Sequence, residues 1–121
     1  MTVRADHPFP PRGVSGALYY FEAEILRGED TSDTPVMIGI GVCGEFVEMS
    51  HEFPGWYTCV PSTGYHGDDG RIYESFVQDD GSKGTGRTFA EGDTVGCGID
   101  WNNGSVYFTL NGDLVGEYGI E

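Results

Sequence analysis

Apolar residues return at every second position in several separate stretches of this 121-residue chain, and no segment keeps helical spacing for three turns. Period two marks an extended strand, whose successive side chains point to opposite faces. Over residues 18–26, Tyr19, Phe21, Ala23 and Ile25 share one face, read as buried. Tyr20, Glu22 and Glu24 share the other, read as largely wet. Residues 94–99 set Val95, Cys97 and Ile99 inward, with Gly96 and Gly98 leaving room for a neighbouring layer to approach. Val106, Phe108 and Leu110 form another inward set opposite Tyr107 and Thr109. Residues 36–43 carry apolar or small side chains on both faces, which predicts a central strand, and residues 71–77 resume strand chemistry. Asn111-Gly112 is a tight-hairpin signal because both residues tolerate positive φ, while Glu91-Gly92-Asp93 and Asn102-Asn103-Gly104 supply further reversals. Residues 28–35 are polar and read as a hairpin loop. Residues 45–63 read as an irregular excursion with Trp56 as a lid on the sandwich, and residues 78–88 as a mobile stretch. Short strands with tight turns and no helical crossovers predict an all-β, antiparallel β-sandwich.

The length suits a single domain over residues 1–121. Twenty glycines sit singly among strand formers, as many short strands and turns require. The net charge of −14 repels phosphate backbones and anionic lipid, so neither nucleic acid nor a membrane is an expected partner, whereas a basic or polar protein segment is compatible with that field. Cys43, Cys59 and Cys97 are odd in number and lack CxxC spacing, which favours reduced, buried thiols over a zinc site or a disulfide framework. No apolar leader and no run of 18 apolar residues occurs. An intracellular setting, cytoplasmic or nuclear, is expected, with secretion as the alternative if a leader peptide has been removed. The Asn103-Gly104-Ser105 sequon is read as part of a hairpin.

Residues 64–70 read Gly-Tyr-His-Gly-Asp-Asp-Gly, which predicts a tight loop holding Tyr65 and His66 outward for recognition. Asp68 and Asp69 can pair with a basic ligand residue, although short carboxylates in such turns more often accept from their own backbone. Catalytic and cofactor chemistry finds little support. Residues 39–44 satisfy G-x-G-x-x-G without the helix a phosphate site needs, and residues 81–86 have P-loop composition without its order. His66, Asp68 and Asp69 lack metal-ligand spacing to His7 or His51. The expectation is no catalytic residue, no metal and no cofactor.

Taken in order, Tyr19-Tyr20-Phe21-Glu22-Ala23-Glu24-Ile25, Ile38-Gly39-Ile40-Gly41-Val42, Pro54-Gly55-Trp56, the 64–70 loop, the 92–100 stretch and Phe108-Thr109-Leu110-Asn111-Gly112 resemble a SPRY domain. The resemblance covers about residues 3–116 and looks closest to the Ran-binding protein M branch. It implies a bent β-sandwich, without catalytic activity, that binds proteins through loops at one end. Members of that branch are similar to scaffold subunits of glucose-induced-degradation type ubiquitin ligases, where the domain docks a substrate receptor or target peptide. By this match Arg4, His7 and Pro8 of the lead-in join Tyr65 and His66 in the partner site, Tyr65 as an anchor and Arg4 as a fork of donors. The family usually continues past the Asn-Gly hairpin into further strands, so the last strands are expected to be missing and the open edge covered by a partner strand, by self-association, or by another part of the protein. Two other functions are carried as alternatives: an accessory subunit domain of a multisubunit enzyme such as a histone methyltransferase complex, and a secreted effector imitating a host SPRY domain.

Overall fold

A computed structural model of the chain describes residues 8–10, 18–26, 38–44, 62–74, 82–84 and 87–119. These form strands β1 (Leu18–Glu24), β2 (Gly39–Cys43), β3 (Ser62–His66), β4 (Arg71–Glu74), β5 (Ser82–Gly84), β6 (Thr94–Asp100), β7 (Ser105–Leu110) and β8 (Asp113–Gly119), with no helix among the described residues. Two four-stranded antiparallel sheets result, ordered β1-β6-β7-β8 and β2-β3-β4-β5. The expected all-β, two-layer architecture is the one observed.

The core lies between the sheets. Val95, Cys97 and Ile99 of β6 and Val106, Phe108 and Leu110 of β7 are buried from the first sheet, as their alternation predicts, and meet Tyr65 and Ile72 of the second. Phe89, from the segment entering β6, closes one end of this cluster. Each fully buried large side chain contributes about 1.5–3 kcal/mol by leaving water. β1 follows the expected alternation less closely: Ile25 just beyond it is buried, but Phe21 is only partly covered. Part of that cover comes from Phe9, whose ring lies 5.9 Å from Tyr19 and 6.0 Å from Phe21. Burial raises the Cys97 thiol to about 12, so it stays protonated, and neither Cys97 nor half-buried Cys43 is in a disulfide.

The hairpins carry the predicted geometry. Asn111 and Gly112 have φ of 51° and 86°, and the Asn111 amide also pins the start of β6, its Oδ1 accepting from Thr94 N at 2.9 Å and its Nδ2 donating to Asp93 at 3.0 Å. Asp100 caps the β6–β7 turn by accepting from Asn102 N and Asn103 N.

Four expectations change. β2 is an edge strand among the described strands rather than a central one, because apolar residues on both faces report cover above and below, not a hydrogen-bonded neighbour on each side. Ser62–His66, read as the end of an excursion and the start of a loop, is a strand paired with both β2 and β4. The supposed mobile stretch contains β5, paired with β4. Finally, the room left by Gly96 and Gly98 is filled from within the same sheet: a Cβ on Gly96 would collide with the Tyr20 hydroxyl and Thr109, and one on Gly98 with the Tyr107 ring. Residues 27–37, 45–61 and 75–81, with Trp56 and Cys59, lie outside the described residues.

Candidate functional site

β3 and β4 are joined by the turn Gly67-Asp68-Asp69-Gly70, and this turn, not the two residues before it, is what the hairpin displays. Tyr65 is 0 % exposed and His66 1 %. Their predicted outward display is therefore incorrect, and the reason is strand geometry. Tyr65, opposite Ile40 and Ile72, points between the sheets, where its ring meets Phe89 at 5.0 Å and Phe108 at 5.9 Å edge-on. Its hydroxyl donates to the Arg87 carbonyl at 2.5 Å, which satisfies the one polar atom the ring brings inside. His66 points to the opposite face of β3 and lies 4.3 Å from the Tyr73 ring.

Backbone bonds from three segments brace the turn. Gly67 N donates to Ile38 O at 2.9 Å, Phe89 N donates to Gly67 O at 3.1 Å, and Gly70 N donates back to His66 O at 3.0 Å. Gly70 has φ of 69°, and a Cβ there would lie 2.8 Å from the Arg87 carbonyl carbon and oxygen. Gly70→Ala should consequently lower stability by about 2–3 kcal/mol, combining backbone strain with a contact the Arg87 backbone cannot yield. Chemical denaturation checks this, and a loss no larger than that of a surface alanine would mean the turn is not seated on residue 87.

Asp69 is a fixture of the turn. Its Oδ1 accepts from Arg71 N at 3.0 Å and its Oδ2 from the Tyr73 hydroxyl, matching the local backbone role weighed for it. Asp68 is exposed at the tip, and Arg71, opposite His66 at the base of β4, is also exposed. On the adjoining 87–93 segment, Arg87 faces Asp113 across an exposed 3.4 Å contact, a pairing worth about 0–1 kcal/mol. The rim thus offers a carboxylate at its tip and guanidinium groups beside it. Arg71 and Arg87 were not singled out from sequence, although recognising the hairpin register would have placed Arg71 at the turn's base.

The hydrogen bond to Asp69, aided by desolvation, raises Tyr73 from its ordinary 10 to about 12. Between pH 10 and about 12 the folded chain keeps a proton that the unfolded chain has lost, so this tyrosine's contribution to stability is intact below pH 10 and disappears as pH rises through that window. In an ultraviolet titration, Asp69→Asn should move the ionisation of one tyrosine from about 12 back towards 10.

The described end of the lead-in, residues 8–10, is held elsewhere. Pro8 is exposed, Phe9 lies against β1, and Trp101 Nε1 donates to Pro10 O at 3.0 Å beside the β6–β7 turn. Arg4 and His7 lie outside the described residues. Among the described residues, no three His, Cys, Asp or Glu side chains converge where they could hold a metal ion, and no helix is long and apolar enough to cross a membrane.

Comparison with known proteins places this geometry. The chain is 37 % identical over 116 residues to Ran-binding protein 9 of Danio rerio, covering 95 % of this chain and 17 % of that protein. It is 36 % identical over 115 residues to the Ran-binding protein M homolog of Arabidopsis thaliana, covering 95 % and 22 %. The chain therefore spans about a fifth of the length of these relatives or less. The fold is similar to the crystal structure of the SPRY domain of human HERC1, with a TM-score of 0.52 and 17 % identity over 83 % of this chain and 56 % of that one. The SPRY domain family model matches residues 18–118, a span that begins at β1 and ends within β8, and the chain belongs to the SPRY domain family.

Proposed function

We propose that this chain is a non-catalytic protein-interaction module whose 67–70 turn, with Arg71 at its base and the adjoining Arg87, docks a peptide or small folded partner. The observation that carries the reading is the bracing of a four-residue turn by backbone bonds to residues 38, 66 and 89. Because the turn is held before any ligand arrives, little ordering cost falls on binding. Asp68 supplies an acceptor for a basic residue of the partner, while Arg71 and Arg87 are forks of donors for its carbonyls or carboxylates. Asp69, Tyr65 and His66 act as positioning residues beneath the turn. Within a longer protein of the Ran-binding protein 9 kind, in an intracellular setting, such a module serves to dock a target or receptor onto a ubiquitin ligase scaffold.

The test is selection of binders from a random dodecapeptide library followed by calorimetry on the tightest one. Asp68→Ala and Arg71→Ala should each weaken it about tenfold, the effect of losing one well-placed charged contact. Unchanged affinity in both variants, with the fold intact, would remove the rim from consideration.

A further inference from the structure

The outer face of the first sheet has a character the rim does not explain. Tyr20 of β1 and Tyr107 of β7 reach towards each other across β6 and stack with ring centroids 5.8 Å apart and planes within 6°. They meet there because Gly96 and Gly98 offer no side chain on that side. The Tyr20 hydroxyl donates to Glu22 at 3.0 Å and shares a second hydrogen bond with Thr109 at 2.5 Å, which fixes the pair. Tyr20 is nevertheless 42 % exposed, and Leu18 and Leu114 in the flanking strands are each 63 % exposed.

Among the described residues of this face the charge is of one sign. Pairing register puts Glu22, Glu24, Asp100 and Glu117 on the same face as Tyr20 and Tyr107. None of the four strands contains a lysine, arginine or histidine. Such a face repels its own copy, anionic lipid and nucleic acid, and attracts cations. Stacked tyrosines add a preference among cations, since guanidinium groups lie flat on aromatic rings more favourably than ammonium groups do.

We propose that the outer face of the β1-β6-β7-β8 sheet is a second docking surface, separate from the 67–71 rim, that takes an arginine-rich segment of a partner protein. Guanidinium groups of the segment stack on the Tyr20–Tyr107 pair and bridge to the surrounding carboxylates.

The experiment titrates the whole chain with an octa-arginine and an octa-lysine peptide at about 50 mM and about 300 mM salt, following amide shifts by NMR. Shifts should concentrate at Tyr20, Gly96, Gly98 and Thr109, with the arginine peptide a few-fold tighter than the lysine peptide. Glu22→Gln/Glu117→Gln should weaken binding about tenfold, while Glu74→Gln/Glu91→Gln, which removes as much charge away from this face, should change it less than about threefold. Glutamine still accepts the hydrogen bonds that Tyr20 and Ser105 give to Glu22 and Glu117, which keeps the first variant folded. Tyr20→Leu, which still covers Gly96, should abolish the arginine preference. Equal weakening by both double variants, shifts confined to residues 67–71, or no saturable binding would each overturn the proposal. Asp68→Ala, the rim variant, is titrated alongside, so failure of this surface and failure of the rim are read separately.

Discussion

Tyr65→Ala should destabilise the chain by about 3–5 kcal/mol, the cost of removing a large, fully buried aromatic, whereas Tyr65→Phe should cost about 1 kcal/mol for the lost bond to Arg87. Domains of this size are stable by about 5–15 kcal/mol, so the alanine variant falls close to the threshold for folding. The ring is the main bridge from the second sheet to Phe89 and Phe108, and the segment carrying Phe89 also holds Gly67. Losing it therefore loosens the displayed turn together with the core. Denaturant midpoints for the two variants decide the matter. Near-normal stability in Tyr65→Ala combined with weaker ligand binding would return Tyr65 to the surface role expected from sequence.

The second large effect is expected at Gly41. A Cβ there would meet the Thr63 carbonyl and lie 2.7 Å from the Gly64 Cα and 2.9 Å from the Thr63 carbonyl carbon, all of them backbone. No rotamer change relieves such contacts, so β2 must separate from β3, which Gly41 faces at Gly64. Gly41→Ala should cost about 3 kcal/mol, at the upper end for overpacking. Gly112→Ala is the comparison: its φ of 86° is strained for alanine but nothing lies within 4 Å of the new atom, and the cost should be about 1 kcal/mol. If thermal melts rank the two in the opposite order, the approach of β2 to β3 is looser than described.

The same pair of sites explains why part of the fold was legible in sequence and part was not. β6 and β7 could be read directly because Val95, Cys97, Ile99, Val106, Phe108 and Leu110 alternate with small or polar residues, and only one face of that sheet is core. β3 could not. Ser62-Thr63-Gly64-Tyr65-His66 is nearly all buried, yet it contains one aromatic, one imidazole and a glycine that Gly41 of β2 closely approaches, so no period-two contrast marks it. With the strand unrecognised, the glycines on either side made Tyr65 and His66 look like a loop's exposed tip. A reversal was read over residues 64–70, but it occupies only 67–70, with Asp68 at its tip and Asp69 bonded to the Arg71 backbone, and its strands give it its orientation and its arginine neighbours. Arg71 follows from the local β3–β4 register, whereas Arg87 comes from a segment beyond β5. Gly96 and Gly98 were recognised as a gap, but whether a gap is filled from above or from the same sheet depends on which aromatics the flanking strands bring, and β1 is a distant neighbour of β6 in sequence.

That separation also bears on how the chain matures during synthesis. Among the described residues β1 pairs with β6, Phe21 opposite Cys97, so a long stretch of chain must follow β1 out of the ribosome before it finds that neighbour. At about 5–20 residues per second this leaves β1, with Tyr19, Tyr20 and Phe21, waiting for several seconds. β2 to β5 and β6 to β8 each pair with strands next in sequence and can assemble locally. The nascent protein thus passes through an interval in which its most aromatic strand is uncovered, the moment at which a chaperone has most to hold.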